Sequence, residues 1–182
     1  MKVSEIVKMC GEILNLNLSD EYFDSSVAPD EFSVKVLINA CNFVLEELYR
    51  DYATSIRKTV VEVKDGFADT SIYKLCKVIS LLDEEGNDVK FRYGDGGIFV
   101  DSDGKYNLCY ARLPSVMGWN DEVALPSPRL TERILIYGVV REYLSIVGDW
   151  QTAKQWETRF KDALQVACCK TSTMRMPVGR WM

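Results

Sequence analysis

Apolar residues recur at helical spacing on both sides of a central stretch whose pattern is that of strands, and this change of period restricts the fold more than any other feature of the sequence. The first helical stretch is short. Residues 3 to 14 place Ile6, Met9, Cys10, Ile13 and Leu14 on one face, with Ser4 as the expected cap, and the polar run Asn15 to Ser26 ends it. Pro29-Asp30 then opens a longer helix, residues 30 to 52, with one apolar stripe through Val34, Leu37, Cys41, Val44, Leu48 and Tyr52. A second stripe, Phe32, Val36, Ala40 and Phe43, makes this helix apolar on two sides, as expected of one held between neighbouring elements or between subunits.

The central stretch, about residues 55 to 125, reads as a small antiparallel sheet or sandwich. Ile56 to Val63 and Lys77 to Leu82 are strand candidates, and the turn cluster Asp83 to Asp88 predicts a hairpin back through Val89 to Tyr93. Asp103-Gly104, between Ile98–Asp101 and Lys105–Ala111, predicts a second hairpin with a two-residue turn. Two more helices follow, over residues 129 to 147 and 150 to 168, with Gly148 as a left-handed C-terminal cap and Asp149 as the next N-cap. The stripe of the last helix runs through Trp150, Ala153, Trp156, Phe160, Ala163, Leu164 and Ala167. Residues 171 to 182 lose all period and read as an extended arm.

The composition is that of a folding chain, with 47% hydrophobic and 27% charged residues in 182, a length suited to one sizeable core. No apolar run approaches the roughly 20 residues of a membrane helix, and the first residues lack a signal-peptide core, so we expect a soluble protein made inside the cell. Six cysteines, at positions 10, 41, 76, 109, 168 and 169, form no CxxC pair, and we expect them to be small buried hydrophobes. The sequence contains no histidine, which removes Ser-His-Asp and Cys-His catalysis and most transition-metal sites. The formal charge of −5 opposes broad nucleic-acid binding, but it is unevenly spread: the first 162 residues carry −8 and the last 20 carry +3.

Several patterns that suggest chemistry are weaker than they look. Asp101-Ser102-Asp103-Gly104 begins like a calcium loop, but Lys105, Tyr106 and Arg112 occupy the places of later ligands and the required glycine. Gly94-Asp95-Gly96-Gly97 lacks the following helix that phosphate cradles use, and the carboxylates of Asp83 to Asp88 are a solvated turn. Trp150, Trp156 and Phe160 fit a packing stripe better than a base-stacking platform. The arm is different: Met174, Met176, Val178, Trp181 and Met182 alternate with Arg175 and Arg180, residue types enriched at protein interfaces, so these seven are the candidate partner-binding residues.

Leu125-Pro126, Leu130, Ile134, Tyr137-Gly138, Glu142-Tyr143, Gly148-Asp149, Ala153, Trp156, Phe160 and Ala163-Leu164 together resemble the C-terminal helical hairpin of the head-to-tail adaptor (connector, or head completion) proteins of tailed bacteriophages. The resemblance spans about residues 30 to 168. It departs at Phe67-Ala68-Asp69-Thr70, where the adaptors carry a Leu-Pro that this chain lacks. What it implies is an α+β fold: a helical bundle of long central helix and C-terminal hairpin, with the small sheet inserted and the arm appended, as a single adaptor domain over residues 1 to 170. It further implies a structural virion protein rather than an enzyme, needing no cofactor or metal. Twelve copies would form a ring between the portal protein and the tail, extending a channel through which DNA passes without specific binding. The arm would bind the portal, and a tail or second adaptor protein would dock below. Two rival readings remain: a tail-side structural or chaperone-like protein that binds a partner without forming a ring, and a carboxylate- and metal-dependent hydrolase or nuclease.

Overall fold

The computed structural model describes residues 1–168; the arm at 171–182, with its seven candidate residues, lies outside the described residues. The fold is mixed α+β, with about 44% helix and 23% strand. Its elements are α1 (Val3–Ile13), α2 (Glu21–Asp24), α3 (Phe32–Glu47, continued by a π-helical turn at Leu48–Tyr52), β1 (Ser55–Val63), β2 (Phe67–Asp69), β3 (Leu75–Leu82), β4 (Arg92–Gly94), β5 (Gly97–Phe99), β6 (Gly104–Arg112), α4 (Glu132–Val147) and α5 (Trp150–Cys168). All six strands lie between α3 and α4 in the chain.

The helices share one core. α3 packs on α4, α4 on α5, and α1 on both α3 and α4. The main stripe of α3 is where the sequence places it, since Val34, Leu37, Cys41, Val44 and Leu48 are fully buried against Leu135, Val139, Val140, Phe160 and Leu164. The second stripe divides: Val36 and Ala40 are buried, whereas Phe32 is 70% and Phe43 57% exposed. The stripe of α1 is rotated too, because Val3, Ile6, Val7 and Cys10 go inward and Met9 and Ile13 stay out. Ser4 does not cap α1 but sits buried inside it; the N-cap is Lys2, whose backbone N–H donates to the Glu5 carboxylate at 2.8 Å.

Gly138 sets the α4 contacts with α3 and α5, since a Cβ there would lie 2.5 Å from Val44 Cγ1 and 3.0 Å from a Phe160 ring carbon. At the α4–α5 corner Gly148 takes φ 89°, and the Asp149 carboxylate accepts the Thr152 N–H at 3.2 Å. Hydrogen bonding by the Thr152 side chain, and then by its backbone N–H, holds the Asp149 carboxyl below the ordinary carboxylate range.

The strands form two three-stranded antiparallel sheets, ordered β1-β6-β3 and β2-β5-β4. Both expected hairpins are corrected. Strand β3 does not turn back onto residues 89–93 as a ladder; beyond an isolated bridge at Leu82–Asp88 the chain leaves, and β4 pairs with β5 instead. Nor does Asp103-Gly104 join two paired strands. It carries the chain from the small sheet to the large one, and the Asp103 carboxylate accepts the Gly66 N–H at 2.9 Å. The tight turns are at Asp65-Gly66 and Asp95-Gly96, where both residues of each pair have positive φ. Between the sheets lies a second apolar cluster, including Val61, Ala68, Leu81, Ile98, Tyr106 and Leu108.

Residues 113–131 return the chain to the helices. Asn42 clasps this segment, accepting the Met117 N–H at 2.7 Å and donating to the Met117 carbonyl at 3.0 Å. Lys2 bridges Glu122 in an antiparallel pairing, and the Tyr49 hydroxyl donates to the Ala124 carbonyl at 2.9 Å.

Candidate interaction surfaces

Because the expected partner-binding residues follow α5, the surface near its C-terminal end matters first. Arg129, Arg133, Ile134, Tyr137, Ala163 and Val166 are among the residues lining a shallow apolar groove of about 420 Å³ between α4 and α5. Arg133 stacks over the Tyr137 ring, and Tyr137 in turn packs on Trp156, with ring centroids 5.5 Å apart. Trp156 is therefore half-buried packing, as the stripe predicts. Trp150 departs from it, being 70% exposed beside Ile146 and Val147, which are also exposed. Trp150 is the first residue of α5 and lines the rim of a polar groove with Glu47, Arg141, Glu142 and Ser145, where no apolar side chain covers it. Large apolar side chains are thus left open on α3 (Phe32, Phe43) and on the α4–α5 hairpin (Trp150, Val166).

One ionic cluster ties α3 to α4. Arg141 bonds the Glu47 carboxylate at 2.6 and 3.4 Å and Glu142 at 2.6 Å, and its guanidinium lies 4.7 Å from the Phe160 ring centroid. Burial by itself would lower the pKa of Arg141; the hydrogen bonds and charges of Glu47 and Glu142 outweigh it, and the guanidinium titrates above its ordinary value. Its role is architectural, since both carboxylates are consumed in holding it.

The cysteines divide between core and surface. Cys10 and Cys41 are buried as expected, and burial pushes the Cys41 thiol up to about 12 and the Cys10 thiol higher still, so both stay protonated at neutral pH. Cys76 and Cys109 are half-buried on strands, and Cys168 is exposed, contrary to expectation. Among the described residues no group of three or more Cys, Asp or Glu side chains is placed to hold a metal ion. The Asp83 to Asp88 turn is exposed, and Asp83 is occupied locally, accepting the Asn87 backbone N–H at 2.7 Å and side-chain amide at 3.0 Å.

Charge on the strands is segregated in a way the sequence reading missed. Arg57, Lys58, Lys74, Lys77 and Arg112 gather at the helix-proximal end of the large sheet, all exposed, whereas the acidic turn Asp83–Asp88 and Asp65, Asp101 and Asp103 lie at the other end. None of those five cations has an acidic side chain within ion-pair distance among the described residues. Arg112 and Arg57 lie close enough to Tyr49 to oppose the upward pull of burial on its phenol. The signal was present in the sequence, but only strand register brings these residues together. Among the described residues, no helix is long and apolar enough to cross a membrane.

No protein-family model matches this chain, and no curated protein matches it significantly.

Proposed function

We propose that this protein is a virion assembly subunit, a head-to-tail adaptor that forms a ring between the portal and the tail of a bacteriophage. The observation that carries the reading is the set of uncovered apolar side chains on different elements: Phe32 and Phe43 on one side of α3, and Trp150 and Val166 near opposite ends of α5. Different faces on different elements suit a heterologous contact, in which one face meets the other face of the next copy, and such contacts generate closed rings. The helical bundle would make the ring, with the β1–β6 insertion projecting from it. The arm, residues 171 to 182, would reach the portal, its Met174, Met176, Val178, Trp181 and Met182 entering apolar sockets while Arg175 and Arg180 pair with carboxylates. In a ring of twelve copies the channel would pass DNA, and the opposite rim would receive a tail component.

The resemblance of residues 125 to 164 to the adaptor hairpin supports the same reading, and the Gly148 and Asp149 capping geometry agrees with it. The alternative is a tail-side structural or chaperone-like protein that binds one partner without closing a ring. The test is a chain ending at residue 170. It should fold, with unchanged circular dichroism, and fail to join filled heads; completion of particles by the truncated chain overturns the role of the arm. Light scattering of the full chain with portal separates the alternatives, a ring mass supporting the first and a one-to-one complex the second.

A further inference from the structure

The outer face of the β1-β6-β3 sheet carries charge without partners, and we infer that it is a contact surface for the phosphate backbone of double-stranded nucleic acid. Antiparallel register fixes which residues share that face. Val61, Leu108 and Leu81 point into the core, so the residues that alternate with them in the ladder point out, and the register shift between Val78 and Ser80 puts Lys77 on that outer side, opposite Ala111. One row across the sheet is Ile56, Ala111 and Lys77; the next is Lys58, Cys109 and Ser80; a third is Val60, Asn107 and Leu82; Glu62 and Lys105 share the last. Lys58 and Lys77 therefore flank β6 on the same side, about 12 Å apart by strand spacing and rise.

Three features favour a polyanion. The face holds three lysines and a single acid, and that acid, Glu62, already pairs with Lys64 at 3.4 Å. Lys58, Lys77 and Lys105 have no acidic partner among the described residues, while every described ion pair but that of Lys64 belongs to the helices and the loops beside them. The face also presents no aromatic side chain, and lysine is depleted from protein–protein interface cores but is a common phosphate ligand. Ile56 and Val60 are exposed on the same face, so it is the lysines between and beside them, not the face as a whole, that suit a phosphate backbone.

The inference rests on the ring reading for its biological setting but not for its chemistry. In a ring with cyclic symmetry, like ends of each subunit lie at the same height, so Lys58 and Lys77 of successive copies would form one basic band, with Lys105 set apart from it along the sheet. Two or three phosphate contacts per copy are weak and exchange quickly, which lets a duplex slide while the acidic remainder of the protein repels it.

The test uses the full chain and a fluorescent 30-base-pair DNA duplex, followed by anisotropy at several salt concentrations. Wild type should bind at 50 mM salt, with a logarithmic salt slope of about −3 for three lysine contacts. Lys58→Glu combined with Lys77→Glu should weaken binding at least tenfold and reduce the slope to about −1. Lys58→Gln with Lys77→Gln should fall between, and Lys154→Glu on α5 should change nothing; circular dichroism of each variant checks folding. Absence of salt-dependent binding by wild type overturns the inference, as does undiminished binding by the double reversal. Polyglutamate competing as well as DNA at equal charge also overturns it, pointing to an acidic protein. A chain that fails to form a ring with portal, yet loses DNA binding on reversal, removes the ring and leaves this face standing.

Discussion

The helices and the sheets of this molecule treat charge differently. On the helical side half of the described lysines and arginines are paired: Lys8 with Asp20, Lys35 with Asp30, Arg50 with Glu46, Lys161 with Glu157, and Arg141 with two carboxylates. On the sheets, among the described residues, only Lys64 has an acidic partner; Arg57, Lys58, Lys74, Lys77 and Arg112 lie toward one end of the large sheet, while Lys64 and Lys105 share the other with Asp65, Asp101 and Asp103. A cation already bonded to a carboxylate serves architecture, whereas an exposed, unpaired one costs little and stays available to a ligand. The cores differ as well. The helical core contains Phe160, Leu37, Leu45, Leu135 and Leu164, all essentially inaccessible, while the strands enclose a separate and smaller cluster around Ile98 and Leu108.

Substitutions can break or sharpen that contrast. Phe160→Ala removes a ring that packs edge-on to Tyr52 and beneath Arg141, and should cost about 3–5 kcal/mol, read from denaturant unfolding. Leu108→Ala should cost about 2–4 kcal/mol, with hydrogen-exchange protection lost first on the strands. Equal loss of protection in α3 and α4 would mean that the two cores behave as one and would end the distinction. Gly138→Ala forces a methyl group against Val44 and Phe160, and should cost about 1–3 kcal/mol by the same measurement. Gly96→Ala, at φ 76° where an added Cβ would make only an ordinary contact with Ser71 Cβ at 3.8 Å, should cost about 1 kcal/mol from backbone strain.

The smallest expected effect is on pH dependence, and it has a counterpart on each side. Asp149 caps α5 and Asp83 closes its turn, and hydrogen bonds hold both carboxyls below their ordinary range. A depressed folded-state pKa contributes stability that is present above the ordinary carboxylate value and disappears as pH falls through the folded one. Asp149→Ala and Asp83→Ala should therefore lower the melting temperature at pH 7, and the difference from wild type should vanish in strong acid. A difference that persists there would assign the effect to packing rather than to the ionised carboxylates.

What the sequence made legible follows from how local each signal is. The stripe of α3, the Gly148 and Asp149 corner and the packing role of Trp156 all rest on residues a few positions apart, and the structure bears them out. Strand pairing is not local. Asp-Gly occurs at 65-66, 95-96 and 103-104; the first two form tight turns with positive φ, while Asp103 bonds to Gly66 and its glycine starts a strand in the other sheet. Identical dipeptides meet different fates because partner strands, not turn chemistry, decide which segments adjoin. The exposure of Trp150, and of Phe32 and Phe43 within one chain, is out of reach of the sequence for a related cause: periodicity assigns a face, but not whether another element of the same chain reaches far enough to cover it. The unpaired lysines escaped notice because they are scattered along the chain and converge only through register.

The clasp of Asn42 on Met117 bears on the order in which the chain assembles. Helices α3 and α4 pack together although roughly eighty residues separate Glu47 from Glu132, so bringing them into contact from a disordered chain closes a long loop. Once β1 has paired with β6, Ser55 lies opposite Arg112 and only roughly twenty-five free residues remain, a saving of about 1 kcal/mol in closure entropy. Early strand pairing would therefore hasten helix docking, with the Met117 strap snapping shut last, and weakening β1–β6 should slow the docking of α3 on α4.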